Sequence, residues 1–453
     1  MYYLPDLPEV SAEIVPREEE DLFHQESHAV DFIETALHLM DIYIKENPTA
    51  ISDPDFEETF KESIEEILLI QFEDQIYMDE LTEEDIANLI EDALEIFLTT
   101  IYDGRGKQPS DDEMKTTLSA FKTDELEMKI NYLRSLPQPV QRTAEWYAFR
   151  HGLITASNAY KAFEGASTVN QLIYEKCHPL KPLSSGSTTE DKVVNVNSPL
   201  HWGQKYEPLS VLVYEDLYGT IVEDFGCIQH PKYTFLGASP DGINVSKDSP
   251  LYGRMLEIKN VVNREITGIP KKEYWIQTQL QMEVCDLDEC DFLETKFVEY
   301  ENSTEFEEDD DGTKTNRTKK NELKGMILYF STPEGKPFYV YKDIRLINQE
   351  DVEKWEISTI EESEALNRSW IKTIYWKLET LSCVLIQRNH QWFSDNIQQI
   401  QNVWSIIERE RVTGYEHRAP KKRPIKDNHA PRKSHDSLFG QGCLITLLNH
   451  EDC

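Results

Sequence analysis

The run Met255-Leu256-Glu257-Ile258-Lys259 constrains this chain more than any other stretch. Met255, Leu256, Ile258, Val261 and Val262 read as a strand buried inside a sheet, yet the same strand carries a carboxylate and an ammonium. Side chains alternate across a strand, so Glu257 and Lys259 share one face while Ile258 enters the opposite layer. Charges in such surroundings are expensive unless they have a partner or a metal. A Glu-x-Lys triplet in a chain with 29% charged residues carries little weight alone; its weight comes from its apolar neighbours.

Further polar residues fall in order around this strand. Ser239-Pro240-Asp241-Gly242 is turn chemistry that ends a strand near Thr234 to Ala238 and starts another. A hairpin there would bring Asp241 to Glu257. Leu200 to Leu217 reads as a helix with Leu209, Val213, Tyr214 and Leu217 toward a core. Trp202 and Gly203 on its first turns would let it approach the sheet and push Glu207 inward; an ordinary exposed acid is the other reading of Glu207.

Three carboxylates and a lysine in this order suit metal-assisted hydrolysis of a phosphodiester. The negative phosphodiester repels hydroxide, and a cation both neutralises it and acidifies the attacking water. Magnesium takes oxygen ligands and is held by one or two carboxylates plus waters, a task for Asp241 and Glu257. Lys259 would orient the water and stabilise charge growing in the transition state.

These residues carry a family resemblance. Trp202-Gly203-Gln204-Lys205-Tyr206-Glu207, Ser239 to Gly242, Leu256 to Lys259 and Tyr274-Trp275-Ile276-Gln277 resemble phage lambda exonuclease and YqaJ-type viral recombinases, of the PD-(D/E)XK nucleases. Upstream, Arg142 to Tyr147 and Arg150 to Ser157 extend it, to roughly residues 140 to 345. Ordered pieces are more specific together than singly. The resemblance implies that Asp241, Glu257 and the Ile258 carbonyl hold one metal, that Glu207 helps to hold a second, and that Gln277 lines the site on a helix whose face it shares with Gln281. It implies that Arg150 and Ser157 grip a terminal 5′-phosphate. It further implies two magnesium ions, replaceable by manganese, double-stranded DNA ends as substrate, a single-strand annealing protein as partner, either a ring or a monomer, and a large DNA virus as source.

The 5′-phosphate assignment also has a local rationale. Thr155-Ala156-Ser157-Asn158 is helix-start chemistry, and a helix N-terminus attracts phosphate. Ser157 as a plain N-cap and Arg150 as a surface charge is the competing reading.

A net charge of −38 argues at first against a nucleic-acid partner. The acid is uneven, however: residues 1–140 hold 36 Asp and Glu against 9 Lys and Arg, whereas residues 411–435 hold 8 Lys and Arg against 2 Asp and Glu. In the acidic region Ile33, Leu37, Met40 and Ile44, then Phe60, Ile64, Ile67 and Leu68, then Ile86, Ile90, Ala93 and Phe97 each fall on one helical face. Thr82 and Asp85 form a capping box. Pro420-Lys421-Lys422-Arg423-Pro424 is open to three readings: a phosphate-tracking tail, a nuclear import signal, or a solvated segment.

Seven scattered cysteines without a zinc pattern point to reduced thiols. With no long apolar run and no leader pattern at Met1, a soluble intracellular protein is expected, in host cytoplasm or nucleus if viral.

The expected architecture is α/β. An acidic helical domain (residues 1–138) precedes a PD-(D/E)XK core of mixed sheet and flanking helices (139–348), a helical extension (349–410, with helices at Glu361 to Leu385 and Phe393 to Ile407) and a basic then apolar tail (411–453). Strands are expected at Phe292 to Tyr300, Met326 to Phe330 and Phe338 to Ile347, with Leu183 to Ser198 and Glu301 to Lys324 as polar loops. The expected function is a magnesium-dependent 5′-to-3′ exonuclease on linear duplex DNA. An endonuclease or RNase on the same core, and a catalytically inactive nucleic-acid-binding or scaffold protein, are the alternatives.

Overall fold

The computed structural model describes residues 17–47, 56–72, 82–98, 120–180, 195–196, 198–268, 270–310 and 316–419. The strand that bears Glu257 and Lys259 is β6 (Met255–Asn260), an inner strand of a seven-stranded mixed sheet. Across that sheet the order is β2 (Val222–Glu223), β5 (Gly242–Asn244), β6, β7 (Glu289–Glu299), β10 (Ser369–Gln387), β8 (Lys324–Ser331) and β9 (Pro337–Tyr341). Only β6 and β7 are parallel. A parallel pair needs a crossover, and the chain supplies it as a helix, Lys272–Cys285. A separate three-stranded sheet joins β1 (Ile154–Thr155), β4 (Leu236–Ala238) and β3 (Ile228–Gln229).

Twelve α-helices are described, in chain order: α1 (Arg17–Glu46), α2 (Phe56–Gln71), α3 (Glu83–Ile96), α4 (Ala120–Ser135), α5 (Ala144–His151), α6 (Ala156–Ala159), α7 (Ala166–Cys177), α8 (Pro199–Tyr218), α9 (Lys272–Cys285), α10 (Ser303–Glu308), α11 (Gln349–Ala365) and α12 (His390–Thr413). One sheet face, with Met255, Phe292 and Ile386, packs on Trp275 and Leu280 of α9 and on Phe393, Ile400 and Trp404 of α12. The other face buries Leu256, Ile258 and Leu293 against Tyr214 of α8, and Phe297 and Trp376 against Tyr206 and Leu209. The sheet thus lies between helical layers, as its buried alternation requires.

In the acidic region α1, α2 and α3 share a core of Phe32, Ala36, Met40, Ile44, Phe60, Ile64, Leu68, Ile86, Ile90, Ala93 and Phe97. The expected faces are slightly rotated: Phe32 and Ala36 are fully buried while Ile33 and Leu37 are partly so, and Ile67 is exposed. Thr82 and Asp85 form the reciprocal capping box. Helix α4 packs on the α/β body, burying Ile130 and Leu133 in its core and pairing Arg134 with Glu223.

Several local expectations are corrected. Glu361 to Leu385 is not a helix: its first residues end α11 and the rest is β10, a strand of 19 residues. Its C-terminal half pairs with β7 and its N-terminal half with β8. The β-branched and aromatic run Trp370, Ile371, Thr373, Ile374, Tyr375, Trp376 fits a pleated surface paired with β8. Ser239-Pro240 does not close a hairpin, because β4 and β5 belong to different sheets; it is the step from one to the other. A Cβ on Gly203 would meet nothing within 4 Å, so this glycine is not needed for close approach.

Residues 301–324 are partly built into the fold, with α10 burying Phe306 and with Lys324 donating to the Phe306 and Asp309 carbonyls. Strand β9 stops at Tyr341, short of Ile347. Cys177, Cys227, Cys285, Cys290 and Cys383 are buried thiols, none of them in a disulfide. Most of the Leu183 to Ser198 segment, Pro420 to Pro424, and Cys443 and Cys453 lie outside the described residues. Among the described residues no helix is long and apolar enough to cross a membrane.

Candidate active site

At the end of β6 the chain forms a cleft of about 310 Å³ lined by Glu207, Ser239, Asp241, Glu257, Ile258, Lys259, Gln277 and Gln281, and also by Trp146, Arg150 and Ser157. Each element delivers its side chain for a separate reason. Alternation on β6 sets Glu257 and Lys259 on the face covered by α9, and Ile258 on the α8 side. The β6-to-β7 crossover lays α9 over that face, so Gln277 and Gln281, four apart on the helix, both reach Glu257.

Glu257 is 1% exposed and fully engaged. Gln277 Nε2 donates to Oε1 at 2.7 Å and Gln281 Nε2 to Oε2 at 2.7 Å, while Lys259 Nζ also donates to Oε1. Lys259 Nζ lies 3.4 Å from Gln277 Oε1 and 4.9 Å from the centre of the Tyr274 ring. Burial opposes the lysine's charge, but Glu257 and Asp241 outweigh it and hold the pKa above the usual value. Lys259 therefore stays a cation.

Asp241 follows the crossing from β4 to β5. Its backbone N–H donates to the Leu256 carbonyl at 3.1 Å, and its Oδ2 accepts from the Ile258 N–H at 2.7 Å, pinning it beside β6. Burial, then the nearby Glu257, pushes its carboxyl well up, with Lys259 working the other way.

Glu207 lies on α8 directly before Pro208, which has no N–H to give the helix. Asn260, at the end of β6, fixes that turn: its Nδ2 donates to the Gly203 carbonyl at 3.2 Å and its Oδ1 accepts from Ser210 Oγ at 2.8 Å. The Glu207 carboxyl is raised by burial, eased by Arg142, and raised again by Glu257. Arg142 has φ of 67°, the left-handed region that a non-glycine residue adopts only where its surroundings hold it.

Among the described residues no three His, Cys, Asp or Glu side chains close into a metal cage. The donor set still fits magnesium, which takes one or two carboxylates and fills its octahedron with water and phosphate oxygens. Burial and the charge of Glu257 raise the carboxyls of both Asp241 and Glu207, a concentration of acid that a divalent cation relieves. Ser239 Oγ and Gln281 Oε1 are buried there without a partner.

Arg150 sits at the end of α5, its guanidinium 4.6 Å from the centre of the Trp146 ring. Ser157 is not an N-cap: Thr155 holds the cap position of α6, and the Ser157 hydroxyl lies 3.3 Å from Thr155 Oγ1. Helix α6 is four residues long and runs into a 3-10 turn, Tyr160–Phe163, so the helix dipole expected there is small. Gln281, Ser239, Gln141 and Trp146 are cleft residues absent from the expected site. Shared periodicity with Gln277 was the signal for Gln281, and Ser239 and Trp146 stand within stretches that carry the resemblance, Ser239 to Gly242 and Arg142 to Tyr147; nothing local marks Gln141.

Residues 145–288 match the YqaJ-like viral recombinase domain. An uncharacterised protein of Acanthamoeba polyphaga mimivirus is 28% identical over 309 residues, covering 62% of this chain. The chain spans about half the length of that curated relative, 54% of it. Among solved structures, an alkaline exonuclease from Laribacter hongkongensis is 18% identical, with 61% of this chain and 97% of that one covered and a TM-score of 0.34. A phage-related exonuclease from Haemophilus somnus is 14% identical, with 59% and 96% covered and a TM-score of 0.29.

Proposed function

We propose that this chain, whose residues 145–288 match the YqaJ-like viral recombinase domain, is a magnesium-dependent deoxyribonuclease that degrades linear duplex DNA from its 5′ ends in viral recombination, repair or genome maturation. The observation that carries the reading is the meeting of Glu207, Asp241, Glu257 and Lys259 with Arg150 and Ser157 around one cleft. A hydrolytic centre and a phosphate-gripping arginine lining one cleft suit an enzyme that works from an end.

Asp241, Glu257, the Ile258 carbonyl and Glu207 would hold one or two magnesium ions, with manganese able to replace them. Bound there, the cation neutralises the phosphate and acidifies the attacking water. The chain's own residues do the rest. Gln277 and Gln281 fix both oxygens of Glu257, so its carboxylate meets the reaction in one orientation. Lys259, kept charged by Glu257 and Asp241, acts as an electrostatic donor to the reacting phosphate and not as a base. Arg150, propped on Trp146, presents its guanidinium fork to a terminal phosphate, with the Ser157 hydroxyl as a second donor. A single-strand annealing protein as partner rests on the family resemblance.

The test is digestion of end-labelled linear duplex, with and without a 5′-phosphate, in magnesium, by wild type and Lys259→Ala. Progressive release from 5′ ends by wild type alone, with closed circles untouched, supports the exonuclease. Cutting of circles or of RNA transfers the chemistry to an endonuclease or RNase. No cutting by wild type with any divalent metal leaves a binding or scaffold protein.

A further inference from the structure

Helix α5 carries Arg150 but buries no residue of its own, so apolar packing does little to fix it. Of its last carbonyls, which no intrahelical N–H can satisfy, those of Ala148 and Phe149 accept from the Gly152 N–H and that of Arg150 from the Leu153 N–H at 3.3 Å, and two cations from other helices tie the same end to the body. Lys176 of α7 donates from Nζ to the Arg150 carbonyl at 2.8 Å. Arg411 of α12 donates from Nη2 to the His151 carbonyl at 2.8 Å and to the Lys176 carbonyl at 2.7 Å, so one guanidinium joins the ends of α5 and α7. His151 Nε2, 3.0 Å from the His178 carbonyl, adds a third tie.

Lys176 is 7% exposed. Among the described residues neither it, nor Arg150, nor Arg411 is in an ion pair, and Glu175, whose charge reaches Lys176, is paired with Lys161. Burial and then the charges of Arg150 and Arg411 bring the Lys176 pKa down to about 8. Cations at a helix C-terminus are favourable, yet a buried, crowded lysine is a costly way to hold an otherwise ordinary two-turn helix. Its cost is understandable where the position of the helix end matters to function.

We propose that Lys176 is a positioning residue for Arg150: by holding the Arg150 carbonyl it fixes where the guanidinium stands over the cleft, and so sets the enzyme's preference for DNA ends that carry a 5′-phosphate. Arg411 braces the same junction. This rests on the assignment of Arg150 to the terminal phosphate.

The experiment compares wild type, Lys176→Met and Lys176→Gln on linear duplexes with 5′-phosphate or 5′-hydroxyl ends, with KM and kcat read separately and thermal melting recorded for each. Methionine fills the space but cannot donate, whereas glutamine keeps an N–H for the carbonyl. In Lys176→Met the KM for phosphorylated ends rises about tenfold toward that for hydroxyl ends with kcat held, and Lys176→Gln recovers most of the difference. An unchanged KM in Lys176→Met, beside a wild type that prefers phosphorylated ends, overturns the inference and leaves the reading of Arg150 standing. A wild type indifferent to the 5′ group overturns both. Parallel loss of kcat and melting temperature in Lys176→Met, unrecovered by glutamine, shows a lysine that only supports the fold and also overturns the inference.

Discussion

Gln281 donates its amide nitrogen to Glu257 Oε2 at 2.7 Å and reaches the Ser239 carbonyl at 3.2 Å with the same nitrogen, so one fully buried side chain ties β6 to the turn that carries Asp241. Glu257 stands on β6 and Asp241 on the turn before β5, and their relative position depends on such cross-links. Removing the amide in Gln281→Ala leaves a buried carboxylate short of a donor, at about 1–3 kcal/mol of stability. Loss of a residue that orients a metal ligand lowers metal affinity by about 10–100-fold. Calorimetric titration with magnesium, read beside a denaturant melt, checks both. Unaltered affinity in a destabilised variant would reduce Gln281 to a packing residue.

Asp241→Asn separates stability from activity. The wild-type carboxyl is disfavoured by burial and by Glu257, so a neutral amide of the same shape relieves the fold when no cation is present. In a chelator the variant melts higher than wild type by about 2–4 °C, cleaves no DNA, and loses the rise in melting temperature that magnesium gives the wild type. A variant that melts lower in chelator would mean that Lys259 and the Ile258 N–H already balance the Asp241 charge.

How far the sequence spoke for the site differs by element. Glu257 and Lys259 were legible because two charges stood in an apolar strand, and Gln277 only through the family resemblance, since its place follows from the crossover of α9 over β6. Asp241 was legible as a motif but not in its mechanism of placement, since a turn signature does not say that β4 and β5 join different sheets. Strand β10 was misread because its apolar residues fit both periods, and only its position between β7 and β8 selects the strand. Such pairings are between residues far apart in the chain, and local patterns hold no information on them.

Gly242 illustrates the same limit. It follows Asp241 in what reads as a turn, but the glycine is required by a close approach: a Cβ there would lie 2.1 Å from Val222 Cγ1 of β2. Gly242→Ala therefore forces β2 from β5, costing about 1–3 kcal/mol and shifting Asp241 beside it. In the double variant with Val222→Ala the added methyl finds room, so the two substitutions together cost less than the sum of each alone. Melting temperatures and cleavage rates across the four-member cycle measure the coupling, and strict additivity would rule the contact out as the reason for the glycine.

Lys342 makes stability depend on pH in a window far from the carboxylates. It is 3% exposed, with Nζ donating to the Leu346 carbonyl at 2.6 Å and to the Asp343 carbonyl at 3.1 Å. Burial brings its pKa down to about 8 from the ordinary 10.5, and the charge of Asp343 only partly opposes this. Between these values the unfolded chain still holds the proton that the native state has released. Stability from this group is therefore present in full above 10.5, and is lost as pH falls through about 8. Buried tyrosines and cysteines slope the other way, so the comparison must be a difference: wild type minus Lys342→Met gains on the order of 1–3 kcal/mol on raising the pH across this window. Urea midpoints measured at both ends of the window check it, and a difference that stays flat would show that the ammonium remains solvated in the fold.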